Sequence, residues 1–144
     1  MNSTKIVQPV VTIVMPVRNE ALYIERTLKS VLTQDYPHGL LEILIVDGES
    51  TDGTRDIVQA IIAAQTRGNG FRLIRLLENP AHVTPAAINI GICHASGDVI
   101  VLVGGHCQLY PNYVSLCVHY LQTMNVDCVG GLIENVGDDA KAKA

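Results

Sequence analysis

The sequence predicts an α/β fold, a mostly parallel sheet with helices on both faces. Two observations point there. Short apolar, β-branched runs alternate along the chain with segments whose apolar residues recur every three or four positions, and that alternation calls for parallel strands joined by helical crossovers. Hydrophobic residues make up 48% of the 144 but aromatics only 4%. The core is therefore aliphatic, which suits buried parallel strands better than an aromatic-centred sandwich.

The elements follow in order. Residues 10–15 (VVTIVM) are a continuous apolar run stopped by Pro16, read as a buried strand. Asn19 is the expected cap of the next helix, with Glu20 in its first turn. Ile24, Leu28, Val31 and Leu32 give that helix its apolar face, and Glu25 and Lys29 form a favourable pair one turn apart. The stretch 34–39 (QDYPHG) breaks it. Residues 41–46 form a second strand that runs into the polar loop 47–54 (DGESTDGT) and a second helix, with Ile57, Val58, Ile61 and Ile62 facing inward. Gly68-Asn69-Gly70 ends it, and 71–77 is a third strand. Thr84 caps a third helix with Pro85 at its first position, and Gly97 closes the segment. Residues 99–103 make a fourth strand, 111–124 a fourth helix and 126–133 a fifth strand. Residues 138–144 resemble a helix start that does not develop. The chain reads as one domain, without repeats or linkers.

Composition excludes several functions. The net charge is −4, which argues against nucleic acid or an anionic membrane as partner. No apolar run reaches the ~18 residues of a membrane span, and the polar start lacks the apolar core of a signal peptide, so a cytoplasmic location is expected. Cys93, Cys107, Cys117 and Cys128 include no C-x-x-C pair, so they read as buried apolar residues rather than zinc ligands or disulfides. Tyr110, Tyr113 and Tyr120 are expected to pack the fourth helix onto the sheet, and His38, His82, His94 and His119 to have no shared role. Between residues 76 and 140 there is no Lys or Arg. A phosphate held there must use backbone N–H groups, histidine or a metal ion.

Ligands of open α/β sheets bind outside the carboxyl ends of the strands. Those ends deliver Pro16, Val17, Arg18, Asn19 and Glu20, then Asp47 with Asp52 in the loop behind it, then Glu78 and Asn79, then Gly104, Gly105 and His106. A dinucleotide fold would place G-x-G-x-x-G after the first strand, where this chain has PVRNEA. A phosphoaccepting receiver domain would pair acids there and carry a late Lys, and this chain does neither.

Three segments resemble family 2 glycosyltransferases: TIVMPVRNEALYIERTLKSVLTQDYP, LEILIVDGESTDGT and NPAHVTPAAINIGICHASGDVIVLVGGHCQLYPNYV, in that order. The resemblance covers about residues 10–135. The glycines and histidine after the fourth strand, with the T-P-A-A-I-N-I-G-I run, look closest to the succinoglycan-type exopolysaccharide branch. It implies the GT-A fold, a nucleoside-diphosphate-sugar donor (UDP most often), a divalent metal (Mn²⁺ or Mg²⁺), and inverting transfer to a saccharide or lipid-linked acceptor in polysaccharide or glycolipid assembly. It implies work at the cytoplasmic face of the membrane, through other regions or partners. Carried over by position, Pro16, Val17, Arg18 and Glu20 line the nucleoside pocket, with Asn79, Gly104 and Gly105 also on the donor. Asp47 bonds the base ring N–H through a charge-assisted contact, and its alternative is a turn residue at a strand end. Asp52 borders the ribose or else caps the next helix.

Three departures stand out. The family's D-x-D metal motif reads Gly104-Gly105-His106, so His106 is either the metal ligand or a loop histidine on phosphate or water. Asp98 sits at the far end of that strand and cannot replace the missing acid. Ile88 stands where many members carry a basic residue. The family's general base lies beyond residue 144, so the chain is expected to end before a complete catalytic domain would. The alternative function is a truncated or degenerate module that binds the nucleotide sugar without transferring it.

Overall fold

The computed structural model describes residues 7–65, 68 and 70–134. Its elements are β1 (Val11–Val17), α1 (Ile24–Leu32), β2 (Leu41–Asp47), α2 (Thr54–Gln65), β3 (Leu73–Glu78), α3 (Thr84–His94), β4 (Val99–Leu102) and α4 (Tyr113–Met124). The four strands form one parallel sheet in the order β3-β2-β1-β4. Register aligns Val17 with Asp47 and Asp47 with Glu78, so three strands end in one row.

The two-residue period of a strand divides β1 between two layers. Val11, Ile13, Met15 and Val17 face α1, α2 and α4, where they meet Ile24, Leu28, Val31, Val58, Val114 and Val118. Val14 points the other way with Leu44, Val46 and Leu77, against Ala87 of α3. Helices thus cover both faces, as expected. Gly91 lets α3 approach closely, since a Cβ there would fall 2.3 Å from Cγ1 of Val14.

The expected fifth strand is absent: among the described residues, 126–134 have no regular structure, and Leu132 and Ile133 are exposed. An apolar run becomes a strand only when a partner accepts its hydrogen bonds, and among the described residues β4, at the edge of the sheet, pairs with β1 alone. Asn19 does not cap α1. It adopts a left-handed φ of 55°, and the helix begins only at Ile24, after a turn. Val83, not Thr84, holds the cap position of α3, with Pro85 in the first turn. β3 starts at Leu73, two residues later than expected, and Phe71 before it stacks on His38, ring centroids 4.0 Å apart. Gly68 and Gly70 take left-handed backbone after α2, while Asn69 and residues 138–144 lie outside the described residues. The cysteines are free, but Cys93, Cys107 and Cys128 are exposed rather than buried. Only Tyr113 of the three tyrosines packs against the core, Tyr110 and Tyr120 being exposed. No helix among the described residues is long and apolar enough to cross a membrane.

Candidate functional site

From β1 the chain builds outward through β2 to β3, then returns by α3 to the other side of β1 as β4. The sheet's switch point therefore lies between β1 and β4, where open α/β sheets leave a crevice. A cleft of about 200 Å³ opens there. Pro16, Val17, Arg18, Glu20, Asn79, Gly104, Gly105 and His106 line it, joined by Gly48, His82, Val83, Thr84 and Ala87. A wider groove of about 460 Å³ between α1 and α2, around His38 and Phe71, lies away from these strand ends.

The loop after β1 is held by the loop after β2. Asn19 donates its N–H to Oγ of Ser50 at 2.9 Å, and its Oδ1 accepts the N–H of Thr51 at 2.8 Å. The N–H of Glu20 donates to Oγ1 of Thr54 at 2.8 Å, and that of Ala21 to Asp52 at 3.0 Å. Asp52 also accepts the N–H and hydroxyl of Thr54, at 3.1 and 2.6 Å. The Thr54 hydroxyl bond holds the Asp52 carboxyl below its ordinary value of 3.8. Asp52 is thus a clasp at the start of α2 and does not line the cleft.

Asp47 is also off the wall. It is fully buried, with Oδ1 accepting the Ser50 hydroxyl and Oδ2 accepting the Ser50 N–H and Arg55, the last at 3.3 Å. Arg55 reaches on to Glu78 at 3.0 Å and so ties the ends of β2 and β3 together. Asn79 is buried in the next row: its N–H donates to the Asp47 carbonyl, its Nδ2 to that of Val83, and its Oδ1 accepts from Ala81.

On the β4 side, Thr27 of α1 donates its hydroxyl to the Gly105 carbonyl at 2.9 Å. A Cβ at Gly105 would fall 2.7 Å from Cγ of Glu20, so the missing side chain is what lets the two loops touch. Glu20 then accepts from Nδ1 of His106 at 3.0 Å, with the imidazole 66% exposed at the mouth. Residues 76–140 have no Lys or Arg for an anion, and the fold brings in Arg18 from the loop after β1. Its side-chain carbons lie over Gly48, and its guanidinium reaches the His82 carbonyl at 3.5 Å.

His82 belongs to this mouth as well. Its Nε2 meets Glu49 at 2.6 Å. Asn19, Glu49 and His82 all hold left-handed backbone, φ 55°, 54° and 60°, a conformation that clusters at ligand sites. The signal in the sequence was position alone: His82 follows the end of β3 as His106 follows the end of β4. No group of three or more His, Cys, Asp or Glu among the described residues is arranged to hold a metal ion. His106, with Glu20 at its Nδ1, offers one imidazole, which fits a cation only as one ligand of a shell completed by phosphate oxygens and water.

Comparison with known proteins adds a second line of observation. The family described as Glycosyl transferase family 2 matches residues 12–143. Glycosyltransferase AglE of Haloferax volcanii is 33% identical over 126 residues, covering 88% of this chain and 40% of AglE. Succinoglycan biosynthesis protein ExoA of Rhizobium meliloti is 27% identical over 146 residues, covering 100% of this chain and 42% of ExoA. Mannosyltransferase PcManGT from Pyrobaculum calidifontis, solved in complex with GDP-Man and Mn²⁺, superposes with a TM-score of 0.70 at 30% identity, covering 87% of this chain and 35% of its own. The chain thus spans about two-fifths or less of the length of these relatives. The sheet and its helices have the architecture shared by GT-A glycosyltransferases.

Proposed function

Because the chain belongs to glycosyl transferase family 2, we propose that its cleft binds a UDP-sugar and serves inverting transfer to a saccharide or lipid-linked acceptor in polysaccharide or glycolipid assembly. One observation carries this reading. The loops after β1 and β4, distant in sequence, converge at the switch point on a single cleft, with Arg18 the cation on its wall. Pro16, Val17 and Arg18 wall the nucleoside side, and Gly104, Gly105 and His106 the diphosphate side. His106 would hold a divalent cation, Mn²⁺ or Mg²⁺, which when bound neutralises the diphosphate and stabilises it as leaving group. Asp47 supports the base from behind Ser50, and a direct bond to the base ring N–H requires Ser50 to give way. The residue that deprotonates the acceptor hydroxyl belongs to the part of the family's catalytic domain outside residues 1–144.

A second reading follows from Gly104 in place of the family's first acid: a module that holds the nucleotide sugar and transfers nothing. Calorimetry with UDP, GDP, UMP and NAD tests the shared premise. UDP binds and NAD does not; equal heats for the two would remove the donor site. GDP matters because PcManGT was solved with GDP-Man, and tighter binding of GDP than UDP would reassign the base. Donor hydrolysis with added metal then separates transferase from binding module.

A further inference from the structure

We propose that Glu20 is a positioning residue for His106: it fixes the imidazole as the Nδ1–H tautomer and turns the Nε2 lone pair toward the cleft as a ligand for the divalent cation on the donor diphosphate. This rests on the donor-site reading and adds a role to a residue that the resemblance places in the nucleoside pocket.

The geometry is specific. Nδ1 of His106 lies 3.0 Å from Oε1 of Glu20. An ionised carboxylate only accepts hydrogen bonds, so the nitrogen facing it carries the proton. A neutral imidazole then has its lone pair on Nε2. Free imidazole side chains prefer the opposite tautomer, with the proton on Nε2, so the carboxylate inverts an intrinsic preference. Metal-bound histidines are backed in this way, with the other ring nitrogen donating to a carboxylate. One further contact and the neighbouring loop hold Glu20 in place. Its backbone N–H is tied to Thr54. The Thr27 hydroxyl anchors the Gly105 carbonyl. Gly105 leaves space that any side chain would take from Glu20. The Glu20 side chain is 19% exposed and that of His106 66%, so the orienting group is sheltered and the ligating ring is open.

The test uses the ¹⁵N-labelled full chain at about pH 8, where an ordinary histidine is neutral. Long-range ¹H–¹⁵N spectra report the tautomer of each histidine, and His106→Asn identifies the His106 signals. Wild type shows Nδ1–H at His106. Glu20→Ala returns it to Nε2–H, and Glu20→Gln, which keeps an accepting oxygen, largely preserves Nδ1–H. A Mn²⁺ titration follows the broadening of the His106 ring signals. Glu20→Ala requires ~10-fold or more Mn²⁺ for the same broadening, the usual effect of losing a carboxylate behind a metal-bound histidine. Gly105→Ala displaces Glu20 through the loop and moves both readouts the same way, which carries the test should Glu20→Ala fail to fold. Nε2–H in the wild type, or an unchanged tautomer and Mn²⁺ response in the alanine variants, would overturn the proposal. No nucleotide enters these measurements. A wild type that passes them yet ignores UDP refutes the donor site and not the positioning.

Discussion

Gly104→Asp should strengthen the effect of metal on nucleotide binding. A single imidazole offsets none of a dication's charge, so Mn²⁺ should raise the affinity of the wild type for UDP less than ~10-fold, about 1.4 kcal/mol. Position 104 can accept the missing acid. It is not among the glycines with left-handed φ, and a Cβ there meets only Sγ of Cys107, at 3.3 Å. That contact is relieved by a few tenths of an ångström of movement in an exposed side chain. The new carboxylate stands two residues from His106 on the same loop. A charge-assisted contact contributes about 1.5–3 kcal/mol, so the Mn²⁺-dependent gain should grow about ten- to a hundredfold. Calorimetry of UDP with Mn²⁺ and then with excess chelator measures it, and the gain should vanish with chelator. A wild type that already binds UDP far more tightly with Mn²⁺, or a variant whose metal effect does not change, would place the metal elsewhere than this loop.

Two other substitutions probe the frame. Asp47→Asn keeps the shape but puts an amide where the buried carboxylate meets Ser50 and Arg55. Losing those charge-assisted bonds should weaken UDP binding about ten- to a hundredfold and lower the melting temperature. Asp98→Asn, at the amino end of β4 where the carboxylate accepts from Val10, should leave UDP binding nearly unchanged; similar losses in both would show that the cleft is not the nucleotide site. Gly91→Ala adds a methyl 2.3 Å from Cγ1 of Val14, so α3 must move off β1. Overpacking of this kind costs about 1–3 kcal/mol, read as a lower midpoint in urea. An unchanged midpoint would mean that α3 is not packed against β1 as described.

The sequence by itself determined the class of fold and the order of its first eight elements. Each of those elements carries its own period: the uninterrupted run of β1, the three-and-four spacing of Ile24, Leu28 and Val31, the Thr84-Pro85 helix start. Such patterns are local, and they survive without knowledge of the neighbours. The strand-end rule also picked out Arg18, Glu20, Asn79 and His106 for the cleft, because a parallel sheet must present the ends of its strands together.

Tertiary structure decided whatever depends on a distant partner. Residues 126–134 have a strand's composition, yet no ladder accepts them among the described residues. Asn19 has the chemistry of a helix cap, but Ser50 and Thr51 take up its hydrogen bonds and hold it in left-handed backbone. Asp47 and Asp52 sit in a motif that suggests ligand contacts, and the fold turns both toward Ser50, Thr54 and Arg55. His82 looked idle until β3 and β2 brought it against Glu49. The pairing of Glu20 with His106 spans 86 positions. No local pattern encodes it, because it exists only where the strand order places β4 beside β1 and a glycine lets their loops meet.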